Sequence, residues 1–244
     1  MTSIENKTVR EIAIENPATV RIFESLGIDY CCGGRRALGE ACERAHVALP
    51  EVLEMLAKAS SQSGSPERDQ WSDAPLGDLI QHIVSRHHSF VRQEVPRLEA
   101  LLEKVVKRHG DVHPELCSIQ AFFSALGQEL FAHMMKEEHI LFPYLEKMEA
   151  AALGNEGFPV SCFGTIQLPI ARMLADHDDA GELTAKIRAL ADGFQAPEGA
   201  CPSYRGLYHG LEEFERDLHR HIHLENNILF PRAVEMERGS QEAA

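Results

Sequence analysis

Past Pro75 the chain settles into a single rhythm. Apolar residues recur every three or four positions through about 76–107, 115–149, 165–192 and 203–237, which predicts four long amphipathic helices. Turn residues mark the breaks: His109-Gly110, then Gly154 to Gly164, then Gly193 to Pro202. Strand-like alternation is absent, so the expected fold class is all-α, with a four-helix bundle as the larger part. Upstream, Asn16-Pro17 reads as a helix start. The helix through Val20, Ile22, Phe23 and Leu26 then stops at Gly27, and Leu49-Pro50 opens another ahead of Val52, Leu53 and Leu56. A polar stretch from Ser60 to Pro66 reads as a linker. The expected organisation is therefore a small helical domain over 1–58, a linker over 59–75 and the bundle over 76–238.

Two of the stripes contain residues foreign to an apolar face. Successive helical residues turn by roughly 100°. On that rotation His133 and Glu137 fall within the stripe of Phe122, Phe123, Leu126, Leu130, Ile140 and Leu141. His221 and Glu225 fall likewise among Leu211, Phe214, Leu218, Ile228 and Leu229, whereas His139 and His223 are expected on the opposite, solvated side. An ionised carboxylate aimed into a core is costly unless something compensates it. No Lys or Arg shares these inner faces near the motif, so a bound pair of cations is the expected compensation. One such pair could be a polar patch in which a histidine simply bonds a glutamate. Its repetition argues for metal.

The repetition is detailed. His133-Met-Met-Lys-Glu137-Glu-His-Ile140-Leu141-Phe142-Pro143 matches His221-Ile-His-Leu-Glu225-Asn-Asn-Ile228-Leu229-Phe230-Pro231, 88 residues later, and both copies reach Met-Glu at 148–149 and 236–237. The bundle reads as a duplicated helical hairpin, each copy giving one lone histidine and one H-x3-E helix. In the third helix that histidine is His177, on a stripe with Ile170, Met173, Leu174 and Ala180. In the first, the stripe of Leu76, Ile80, Ile83, Val91 and Leu98 puts His87 nearer its centre. The repeat spacing favours His88, which precedes His133 by 45 residues as His177 precedes His221 by 44. Both stay open on the residues alone. Four imidazoles and two carboxylates, with no thiolate, suit two first-row metal ions and disfavour a structural zinc site. Iron is the expected metal.

Composition narrows the partners. With 24 basic and 38 acidic residues the net charge is −14, which argues against nucleic acid or an anionic membrane surface. No run of about 18 apolar residues occurs, so no membrane span is expected. The polar segment from Met1 to Arg10 has no apolar signal, and six cysteines in 244 residues are too few for a disulfide scaffold, so a cytoplasmic location with reduced thiols is expected. Cys31 and Cys32 stand apart from the other four. They are adjacent and followed by Gly33-Gly34, which lets the chain turn and leave the thiols accessible. A bridge between neighbouring residues is strained, so a redox or metal-handling pair is expected.

In these motifs the chain resembles the iron-sulfur cluster repair family of di-iron proteins. Residues 77 to 237 resemble its hemerythrin-like four-helix bundle, and Leu26-Gly27-Ile28-Asp29-Tyr30-Cys31-Cys32-Gly33-Gly34 resembles the hallmark of its N-terminal domain. The resemblance implies iron ligands at His88, His133, Glu137, His177, His221 and Glu225. His87 stands where family members have a tyrosine-like residue. The resemblance further implies repair of clusters damaged by nitric oxide or oxidants, with iron-sulfur proteins as clients; the residues leave the assembly open, a homodimer included. Alternatives are nitric oxide reduction at the two irons, or O2 or NO binding as a carrier or sensor. The Cys-Cys domain counts against a simple oxygen carrier.

Overall fold

The computed structural model describes residues 4–62, 71–154, 159 and 163–242. Four short helices come first: α1 (Val9–Glu15), α2 (Ala18–Leu26), α3 (Leu38–Arg44) and α4 (Leu49–Gln62). Thr8 caps α1 through a reciprocal pair, its hydroxyl accepting from Glu11 N while the Glu11 carboxylate accepts from Thr8 N. Gly27 ends α2 at φ 65°, a left-handed conformation that glycine adopts without strain. These helices close over Val9, Ile12, Phe23, Ile28, Leu38, Val52 and Leu56. Residues 63–70 of the expected linker, and Cys162, lie outside the described residues. Among the described residues there is no β-strand, only an isolated bridge between Thr8 and Ala37.

Four long helices follow: α5 (76–109), α6 (115–152), α7 (Gln167–Leu190) and α8 (202–242). They coincide with the four periodic stretches of the sequence and pack as an up-and-down bundle. Three of them are not uniform. Each contains a wider, π-type turn, at Ile83–His88 in α5, Glu137–Leu141 in α6 and Leu224–Leu229 in α8. A π-turn inserts a residue and shifts the register of everything beyond it. Hence His87 and His88 are both buried in α5, and all six residues of the α8 turn are buried. It also explains a departure in α6: Ile140, expected on the apolar stripe, is exposed, while Leu141 is buried.

The duplicated Met-Glu ending has a structural role. Glu149, near the end of α6, accepts from Leu76 N and Gly77 N at 2.6 and 2.9 Å, capping the start of α5. Glu237 in α8 accepts from Ile166 N at 2.9 Å and from the Thr165 hydroxyl, capping α7. Carboxylates at helix N-termini satisfy free N–H groups and meet the positive end of the dipole.

The apolar interior of the bundle falls into two clusters. One contains Val91, Leu98, Phe123, Leu130, Leu211 and Phe214. The other contains Leu76, Ile83, Phe142, Met148, Ile228 and Phe230. Along every helix the histidines and glutamates of interest lie between the two. A polar layer is thus sealed at both ends by hydrocarbon.

Candidate metal centre

Six side chains from four helices meet in that layer. His88 comes from α5, His133 and Glu137 from α6, His177 from α7, and His221 and Glu225 from α8, each buried. Their donor atoms form two groups, His88–Glu137–His221–Glu225 and His133–Glu137–His177–Glu225, the atoms of each lying within 4.8 Å of one another. Both glutamates belong to both groups, and each divides its oxygens between them. Glu137 Oε1 lies 3.2 Å from His133 Nε2, and its Oε2 lies 3.4 Å from His88 Nε2. Glu225 Oε1 lies 3.1 Å from His221 Nε2, and its Oε2 lies 3.1 Å from His177 Nε2. Each carboxylate thus stands between two imidazole pairs, with one oxygen toward either pair.

The imidazoles are oriented from outside. His88 Nδ1 is 2.6 Å from Glu138 Oε1, His133 Nδ1 is 3.3 Å from Asp176 Oδ2, and His177 Nδ1 is 2.7 Å from Asn226 Oδ1. An acceptor at Nδ1 holds the proton there and leaves the Nε2 lone pair facing inward. The Nε2 atoms do face one another, at 3.1 Å for His88 and His221 and 3.0 Å for His133 and His177. The acceptors are themselves held, Glu138 by Arg92 at 2.6 Å and Asp176 by Lys136 and Arg172. They follow a cyclic rule: each helix's histidine is anchored by a residue of the next helix, adjacent to that helix's own ligand candidate. Only His221 breaks it, its Nδ1 having no hydrogen-bond partner.

Electrostatics points the same way. Burial opposes ionisation of Glu137, as does Glu225 beside it, yet His133 and His88 draw its carboxyl below the usual range. Burial opposes Glu225 too, and His221 and His177 draw it well below that range. The counterpart is His133: burial opposes its charge, but Glu137 and Glu225 lift it to about 9. Protons on imidazole are thus the protein's own substitute for a cation. They are an incomplete one. Both oxygens of Glu137 and Oε2 of Glu225 make no hydrogen bond, although buried acceptors are normally paired. Orphaned carboxylate oxygens beside inward-facing imidazole nitrogens fit metal ions, and a metal site is what this layer provides.

Two further histidines of this region are buried outside the donor groups. His87 is buried, with Nδ1 3.0 Å from Asp217 Oδ2 and its ring parallel to His221 at a centroid distance of 5.6 Å. It belongs to neither donor group. His223, expected in solvent, is buried because the small domain covers that face of α8: its ring packs on Tyr30 at 5.3 Å. Asn227 Nδ2 also donates to Tyr30 O at 2.9 Å and approaches His223 Nδ1 equally closely. Burial pushes His223 down to about 4, so it stays neutral.

Cys31 and Cys32 are free thiols whose sulfurs lie 3.9 Å apart. Cys31 is buried rather than accessible, and it packs in the core of the bundle, not of its own domain. Cys32 is half-buried, its sulfur 3.5 Å from the backbone oxygen of His177. The two thiols also share a donor cluster with Asp29. The pair therefore sits on the backbone that carries one of the candidate ligands.

The hemerythrin HHE cation-binding domain matches residues 79–233, and a domain described as of unknown function (DUF542) matches residues 5–60. The chain is 38% identical over 229 residues to the iron-sulfur cluster repair protein YtfE of Pectobacterium carotovorum, covering 94% of this chain and 97% of that one. It is 35% identical over 233 residues to the protein of the same name from Citrobacter koseri, covering 95% and 98%. A probable iron-sulfur cluster repair protein of Haemophilus influenzae is 34% identical over 232 residues, with 95% and 98% covered.

Proposed function

Because this chain belongs to the hemerythrin HHE family and, within it, to the iron-sulfur cluster repair proteins, we propose that it restores iron-sulfur clusters damaged by nitrosative or oxidative stress, using two bound iron ions. His88 and His221 would hold one ion and His133 and His177 the other, with Glu137 and Glu225 available to both. The observation that carries it is the division of each glutamate's oxygens between two imidazole pairs. Bound iron would supply redox chemistry and binding positions for small ligands such as NO or O2.

The chain's own residues do the rest. Glu138, Asp176 and Asn226 hold protons at Nδ1, so that three imidazoles offer Nε2 inward without reorganisation. Apolar clusters above and below exclude water. Cys31 and Cys32, resting against the His177 backbone, are placed to take up iron or electrons at the edge of the site without being resident ligands. Their position favours iron handling over reversible oxygen carriage, which needs no thiol pair. Reduced thiols suit a cytoplasmic location, and iron-sulfur proteins are the clients.

The test is direct. Iron-loaded protein mixed with an iron-sulfur enzyme inactivated by nitric oxide should restore that enzyme, with matching loss of iron from the repair protein. No recovery, with iron fully retained, contradicts repair. Sustained nitrous oxide production from nitric oxide under anaerobic conditions would identify nitric oxide reduction instead.

A further inference from the structure

His221 is the one candidate ligand without a hydrogen-bond partner on Nδ1, and its ring lies parallel to that of His87 at a centroid distance of 5.6 Å. That ring, His87, leads outward. His87 meets His82 edge-on at a centroid distance of 5.6 Å, and His82 stacks on Trp71 at 4.5 Å with 29° between planes. His221 and His87 are buried, whereas His82 and Trp71 are half-buried, so the ladder runs without a gap from the polar layer to the surface. Trp71 is the chain's one tryptophan. Its outer position is fixed, because its backbone oxygen accepts from Arg232 Nη1 at 2.8 Å. The Asp217 carboxylate on His87 Nδ1 fixes the middle rung.

A sealed metal pair poses a problem this ladder answers. The six donors are buried and capped by hydrocarbon at both ends, so a redox partner cannot touch the ions and electrons must cross protein. We propose that Trp71, His82 and His87 form a π-contact relay through which electrons reach the metal pair by way of His221. The proposal rests on the iron-pair reading above. Each passage moves one electron: a one-electron carrier of the flavin or iron-sulfur class is oxidised at the Trp71 end, and one ferric ion becomes ferrous. No bond forms or breaks along the relay. None of the three belongs to either donor group, so they can be changed without removing a candidate ligand.

Two readouts test it in the full-length, iron-loaded chain. A reduced [2Fe–2S] ferredoxin is the probe for electron entry, followed by loss of ferric absorption. His82→Leu should bind iron as the wild type does but be reduced severalfold more slowly, while His82→Phe, which restores a ring, should recover most of the rate. The emission lifetime of Trp71 is the second readout. It should be shorter in ferric than in zinc-loaded wild type, and His82→Leu should abolish most of that difference, whereas energy transfer through space would not depend on His82. Unchanged reduction rate and unchanged quenching in His82→Leu, with iron bound, would overturn the relay alone. A wild-type chain that binds no iron would overturn the iron-pair reading with it.

Discussion

Glu137 and Glu225 are the two residues this bundle could least tolerate without a cation. Each is fully enclosed, and three of their four oxygens make no hydrogen bond. Glu225→Ala should therefore abolish binding of at least one ion and lower stability of the loaded protein by about 1–3 kcal/mol, through polar groups left unpaired. Metal analysis and thermal melting check this, and full metal retention with an unchanged midpoint would contradict it. Protonation competes with metal at the same nitrogens. Because His133 is raised to about 9 in the metal-free chain, that chain binds more protons than the loaded one at pH 7. Metal addition should release protons at pH 7, and metal retention should fall as pH is lowered through the range below about 9; titration in weak buffer measures both. The i, i+4 pairs and their apolar stripes make His133, Glu137, His221 and Glu225 legible from sequence, and the stripe of the third helix adds His177. Their anchors are not. Glu138, Asp176 and Asn226 each neighbour one candidate ligand in sequence but serve a histidine on another helix, a relation set by helix rotation.

At the scale of elements, the wide turns decide which histidine enters the site. A regular α-helix through α5 favours His87, since 3.6 residues per turn centres it on the stripe. The π-turn at Ile83–His88 advances the register, brings His88 Nε2 to the carboxylates and leaves His87 against His221 and Asp217. Periodicity could not reveal this, because an inserted residue changes phase without changing composition. The same effect misplaces Ile140. Helix approach is set by small residues as much as by large ones. A Cβ on Gly127 of α6 would lie 2.7 Å from Val95 Cγ1 of α5, and valine's branched side chain has little freedom to move. Gly127→Ala gains about 1 kcal/mol in helix propensity. Overpacking costs about 1–3 kcal/mol. The net expectation is mild destabilisation, read as a lower denaturant midpoint; a stabilised variant would mean that α5 and α6 separate freely.

Across the whole molecule, the small domain packs on the face of the bundle that carries three of the candidate ligands. Tyr30, Cys31 and Cys32 lie on the helices that supply His177, His221 and Glu225, and Arg220 of α8 reaches Glu24 at 3.3 Å. This docking buries His223, which helix periodicity alone assigns to solvent. Sequence motifs announce both parts, but a contact between parts distant in the chain leaves no periodic trace in either. If the thiols act on the metal without holding it, Cys31→Ser with Cys32→Ser should keep the bound metal and lose repair of a nitrosylated cluster enzyme. Loss of metal in that variant would make the thiols resident ligands instead.

The division of two carboxylates between two imidazole pairs stands or falls on a count. Elemental analysis of the purified, iron-reconstituted chain, paired with its visible absorption, should give two irons per chain with ferric charge-transfer bands, both reduced in Glu137→Ala and Glu225→Ala. One iron or none per wild-type chain, or two irons retained in both variants, would contradict a shared site.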